Sequence, residues 1–201
     1  MTNPRWGILG GTFDPPHYGH LVVAEQVREA LELAGVLFMP AAHPPHKADR
    51  AISAAEHRLA MVDLAIAGNP HFRLLPNEVD RGGTSYSVDT LERLTAARPG
   101  DRFIFIVSTE AARQLPTWRD PRRLVELCEM AVVPRLGYPP LEPGWAERAF
   151  PGLEYRFLAV DSPPLGHSAS AIRARAADGR TIRYLVPPAV EDYIVRHGLY
   201  R

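Results

Sequence analysis

Only one cysteine, Cys128, occurs in the 201 residues of the chain. An intrachain disulfide is therefore excluded, as is a zinc site built on cysteine pairs, and a reducing compartment suits the chain. Net charge is missing too: Lys plus Arg and Asp plus Glu each total 23. No global field draws the chain to nucleic acid or to an anionic membrane surface, so any phosphate binding has to come from a local cluster. No apolar run approaches the roughly 18 to 20 residues of a membrane span. The N-terminal residues hold no signal region, because Gly7, Gly10 and Gly11 interrupt the first apolar segment. A cytoplasmic protein with no nucleic-acid and no membrane partner is expected, and oligomeric state does not follow from these quantities. Two phosphate-binding signatures are also absent, Gly-x-x-x-x-Gly-Lys-Ser/Thr and Gly-x-Gly-x-x-Gly, which disfavours a P-loop hydrolase and a redox dinucleotide module.

What is present is ordinary soluble-globular material, 46% hydrophobic and 23% charged, of a length that suits a single domain over residues 1–201. Short apolar runs alternate with amphipathic segments, the pattern of βαβ units. Strands are predicted at residues 6–9, 36–39, 72–75, 103–107, 130–133 and 155–160. The run 103–107 is apolar throughout, as in a central strand buried on both faces. Helices are predicted at 20–34 with Gly35 as its stop, at 53–67 with a Ser53/Glu56 capping box, and at 87–97, 124–127, 168–177 and 188–196. The Pro- and Gly-rich stretch 134–152 reads as a surface connection, and Cys128 as a small core residue. The fold class is α/β, a Rossmann-like open, mostly parallel sheet with helices on both faces.

The densest chemical signal follows the first strand: Gly10-Gly11-Thr12-Phe13-Asp14-Pro15-Pro16-His17-Tyr18-Gly19-His20. In an open α/β sheet, ligands bind outside the carboxyl ends of the strands, where the free N–H groups of the next helix meet anions. Gly10 and Gly11 let backbone approach a ligand, and His17 and His20, three apart at a helix start, can donate hydrogen bonds to phosphoryl oxygens as charge builds. A His-x-x-His metal site needs more ligands, and only Asp14 is close in sequence. Far downstream, Ser168 and Ser170 supply hydroxyls at a helix start, and Arg173 adds a cation one turn on. Read alone, that segment is as well explained by an ordinary serine cap and a solvated arginine.

The first motif resembles the signature of the nucleotidyltransferase superfamily with a His-x-Gly-His element. With Pro44-Pro45-His46-Lys47, Ser85-Tyr86-Ser87-Val88-Asp89-Thr90-Leu91, Trp118, Arg135, Ser168-Ala169-Ser170-Ala171-Ile172-Arg173, Tyr193-Ile194 and Leu199-Tyr200, the chain resembles bacterial nicotinate-nucleotide adenylyltransferases over nearly its whole length. The resemblance implies an enzyme that transfers an adenylyl group from ATP to nicotinate mononucleotide, with Mg²⁺ carried on ATP. It implies an ATP site of Gly10, Gly11, Thr12, Phe13, His17, His20, Ser168, Ser170, Ile172 and Arg173, with His17, His20 and Arg173 catalytic. Lys47, Ser87 and Trp118 would meet nicotinate mononucleotide, the indole stacked on its ring. The chain departs from the family pattern at His167, usually apolar, at Ala169, usually Ser, at Ser87, usually Thr, and at Ser108-Thr109-Glu110, usually Gly-x-Asp. A nicotinamide mononucleotide or phosphopantetheine acceptor, and an inactive nucleotide-binding regulator, stay open as alternatives.

Overall fold

The computed structural model describes residues 3–42, 52–163 and 165–201. Six strands form one parallel sheet: β1 (Arg5–Gly11), β2 (Gly35–Pro40), β3 (Phe72–Leu74), β4 (Arg102–Ser108), β5 (Glu129–Val133) and β6 (Phe157–Ala159), in the spatial order β3-β2-β1-β4-β5-β6. The register sets Ile8 opposite Phe105, and Phe105 opposite Met130. These residues carry no polar atoms and are nearly fully buried, which is the composition a strand covered on both faces requires. The strand order reverses between β1 and β4, so the topological switch point, where open α/β sheets bind ligands, falls at the carboxyl end of the first strand.

Nine α-helices lie among the described residues: α1 (Tyr18–Ala30), α2 (Ala55–Ile66), α3 (Asn77–Arg81), α4 (Ser87–Ala97), α5 (Thr109–Gln114), α6 (Pro121–Leu127), α7 (Trp145–Ala149), α8 (Ala169–Ala177) and α9 (Pro188–Arg196). The Rossmann-like α/β class expected from the alternation is the class found. Several local expectations are corrected. Gly35 opens β2 and does not stop α1, because the helix already ends at Ala30 and Glu32 takes the left-handed conformation at φ 50°. Ser53 is no cap for α2, whose N-cap is Ala54 without a side-chain hydrogen bond; the Ser53 backbone is engaged by Asp14 and Arg58. The surface connection 134–152 contains α7, held by Trp145 edge-on to Phe150 and Phe157. Cys128 is buried as expected, at the end of α6 and not within it.

The chain packs as two compact units, one of Met1–Gly10, Val23–Leu37 and Tyr86–Leu165, the other of Gly11–Val22, Phe38–Ser85 and Gly166–Arg201. The first has its core on β4, β5 and the buried faces of α4 and α6, with Ile104, Met130, Leu91, Leu124 and Val125 all inaccessible. In the second, Met61 of α2 packs with Ile172 of α8 and with Val190 and Ile194 of α9.

Candidate active site

In the second unit the chain leaves β1 and turns through Thr12–Pro16 into α1. Ala41 donates its N–H to the Gly11 carbonyl at 2.9 Å. The Phe13 ring folds back over Gly11, where a Cβ would lie 3.2 Å from it. That ring meets His20 edge-on, with centroids 4.9 Å apart, and packs on Phe38. His17 and His20 are stacked, their centroids 3.7 Å apart and planes 20° from parallel. The His17 backbone N–H donates to His20 Nδ1 at 3.1 Å. Because Nδ1 accepts, neutral His20 carries its proton on Nε2, the tautomer that presents a donor at the far end of the ring. Gly19 between them has no alternative: a Cβ there would lie 3.0 Å from His17 Nδ1 and 3.1 Å from His167 Cβ. His167, where an apolar residue is usual, extends the stack, 5.9 Å from His17.

A polar network joins the turn before α1 to α2, α8 and the C-terminal residues. Asp14 is 2% exposed. Its Oδ1 accepts from Tyr200 Oη at 2.6 Å, its Oδ2 from the Ser53 N–H at 3.2 Å, and its backbone carbonyl from Arg173 Nη1 at 2.7 Å. Among the described residues, no group of three or more His, Cys, Asp or Glu side chains is placed to hold a metal ion. Arg58 of α2 is 1% exposed and donates to four carbonyls, those of Ser53, Thr12, Ala41 and Ala42, at 2.6 to 3.0 Å. Burial pulls its guanidinium below the usual range, and the charge of Asp14 pulls it back up. Burial, then the hydrogen bond to Asp14, pushes the Tyr200 phenol far above its ordinary value, so it remains a donor.

α8 starts in the same unit. Ser168 is its N-cap and accepts from the Ala171 N–H. Ser170 Oγ accepts from Arg173 Nη2 at 3.4 Å. Ile172 points into the core, 2% exposed, and its N–H donates to the Ser168 carbonyl. The structure thus gathers Gly11, Thr12, Phe13, His17, His20, Ser168, Ser170 and Arg173 into one unit, Gly11 as the last residue of β1, and places Gly10 before it in the other unit.

Ser87 and Trp118 lie in the first unit. Ser87 opens α4, and Trp118 follows α5 and a short 3-10 turn. Their segments are side by side: the Arg119 guanidinium lies 4.5 Å above the Tyr86 ring and 3.8 Å from Asp89. The Trp118 ring is half-buried and edge-on to Phe105, and its Nε1 is buried without a hydrogen-bond acceptor among the described residues. Ser85 Oγ is taken by the Ala42 N–H at 2.8 Å. Arg135 is exposed and pairs with Glu110 at 2.8 Å, and Tyr138 Oη donates to the same carboxylate. Glu110 is thereby held on a surface triad. Lys47, with His43, Pro44, Pro45 and His46, lies outside the described residues.

Residues 8–175 match the family described as cytidylyltransferase-like; with the parallel sheet and the stacked histidines at the start of α1, they define a nucleotidyltransferase. A relative from Thermomicrobium roseum, named "Probable nicotinate-nucleotide adenylyltransferase", is 46% identical over 98% of this chain and 92% of its own length. Another of the same name, from Geobacillus thermodenitrificans, is 42% identical over 96% of this chain and 85% of its own length. The chain belongs to the nicotinate-nucleotide adenylyltransferase family. Among solved structures, Plasmodium falciparum nicotinic acid mononucleotide adenylyltransferase complexed with NaAD superposes with a TM-score of 0.82 at 19% identity, covering 98% of this chain and 97% of that one. A second structure of that protein, complexed with APC, gives a TM-score of 0.80 at 18% identity. At these identities the likeness is one of fold.

Proposed function

We propose that the chain transfers the adenylyl group of ATP to nicotinate mononucleotide, releasing diphosphate and deamido-NAD. The observation that carries this reading is the stacked His17–His20 pair, whose Nδ1 contact leaves Nε2 of His20 as a donor, in the same unit as Arg173 and the start of α8. An acceptor phosphate oxygen attacks the α-phosphorus in line; the bond to the oxygen bridging to the β-phosphate breaks, and diphosphate leaves without a covalent enzyme intermediate. The task of the protein is to position two anions and neutralise their charge. His17 and His20 donate to the α- and β-phosphate oxygens. Arg173, Ser168, Ser170 and the N–H groups at the start of α8 hold the β- and γ-phosphates, with Lys47 assisting, and Mg²⁺ enters as part of MgATP, in keeping with its preference for phosphate and water ligands. Ser87 and Trp118 take the pyridine ring of the acceptor, and the reaction belongs to the cytoplasm. No helix among the described residues is long and apolar enough to cross a membrane.

His20→Ala is expected to lower kcat by about 10² to 10³-fold, the cost of one donor that meets developing charge, with the circular dichroism spectrum unchanged. Diphosphate release would be followed with nicotinate and nicotinamide mononucleotides and with phosphopantetheine. Preference for the first supports the proposal. Preference for either of the others moves the acceptor assignment, and ATP binding without release from any acceptor identifies an inactive regulator.

A further inference from the structure

We infer that Tyr200 is a positioning residue for ATP, acting through Asp14 on Arg173; this rests on the reading above that Arg173 holds ATP phosphates. The α9 helix ends at Arg196, and Leu199 donates its N–H to the Ile194 carbonyl at 3.1 Å. Tyr200 then takes a left-handed backbone conformation, φ 67°. That turn brings its hydroxyl 2.6 Å from Asp14 Oδ1 across 186 residues of sequence. Ser53 holds the other carboxylate oxygen, so Asp14 is clamped at both ends of its carboxylate. The same residue offers its carbonyl to Arg173 Nη1 at 2.7 Å. Among the described residues Arg173 also donates to Ser170 Oγ, at a longer 3.4 Å. The direction of the guanidinium therefore follows the peptide plane of Asp14, and that plane is fixed by the carboxylate clamp.

A hydrogen bond serving the core alone would be indifferent to Arg173, and this separates the two roles. Tyr200→Phe keeps the ring packed beside Met61 and removes the hydroxyl, with its bond to Asp14 and its contact with the Ser53 side chain. It is expected to raise the ATP KM about tenfold, the size of one lost hydrogen bond to a charged group, with kcat changed less and the acceptor KM unmoved. In an Arg173→Ala background the same substitution is expected to change the ATP KM by less than about twofold, because coupled residues are not additive. Thermal unfolding of each variant is measured alongside. A tenfold rise in both backgrounds, or a fall in Tm with no change in KM, overturns the inference and leaves the assignment of Arg173 standing. An Arg173→Ala enzyme whose ATP KM equals that of the parent sinks that assignment, and the inference with it.

Discussion

Gly19 has no side chain because there is no room for one. A methyl there would push on His17 Nδ1 and on His167 Cβ from about 3 Å, and His17 moves only by breaking its stack with His20. Gly19→Ala is therefore expected to lower kcat by at least about tenfold, since misplacement of a catalytic group by an ångström costs up to about 10²-fold. The check is steady-state kinetics beside a thermal melt; unchanged kcat would mean that the His17–His20 geometry is not what the reaction uses. At this scale the sequence was readable where the signal is local: His17, Gly19 and His20 lie within one turn, and Ser168, Ser170 and Arg173 within about a turn and a half. Asp14, Arg58 and Tyr200 were not legible as a set, because their bonds join residues 39, 46 and 186 positions apart, and no periodicity encodes such pairings. One clue was present. Arg58 stands three and four residues before Met61 and Val62, on the stripe of α2 that is otherwise buried and apolar.

α2 joins the second unit by its charge as much as by its apolar face. Arg58 gathers the carbonyls of Thr12, Ala41 and Ala42, tying the turn after β1 to the segment after β2. Arg58→Met retains the stem and removes every donor, which leaves buried carbonyls unpaired and takes a nearby cation away from Asp14. Destabilisation of at least about 3 kcal/mol is expected, at about 1 to 3 kcal/mol for each unsatisfied buried group, and urea unfolding measures it; a loss below about 1 kcal/mol would show that water replaces the guanidinium. Element existence and type followed from periodicity: α4 and α9 have the predicted bounds, and all six strands were foreseen. The misses share a cause. α3, α5 and α7 are five or six residues long, too short to display a helical period. The Ser53/Glu56 pair has capping-box spacing, yet Ser53 is occupied by tertiary bonds that outweigh a local cap.

The two compact units are not sequential. The chain passes between them five times, and two of the five divisions, Gly10/Gly11 and Leu37/Phe38, fall inside β1 and β2. Independent domains are joined by exposed linkers; a division inside a strand offers none. A single cooperative unfolding transition is therefore expected, and each unit carries its own reporter. In the first, burial pushes the Cys128 thiol from an ordinary 9.0 up to about 12. In the second, burial and Asp14 push the Tyr200 phenol well above its ordinary 10.0. Both groups are acids whose folded-state pKa is raised, so the folded state favours their neutral forms. The stability they contribute is fully present below the unfolded-state values, near 9 for the thiol and near 10 for the phenol. It is lost as pH rises, through about 12 for Cys128 and from about 10 upward for Tyr200. Stability should thus fall steeply above pH 9, and less steeply in Cys128→Ala. At fixed pH, urea should expose Cys128 to a thiol reagent and shift the tyrosine signal at one shared midpoint. Midpoints that separate would show the units melting independently, and an equal alkaline slope in Cys128→Ala would show that the thiol is already ionised in the fold.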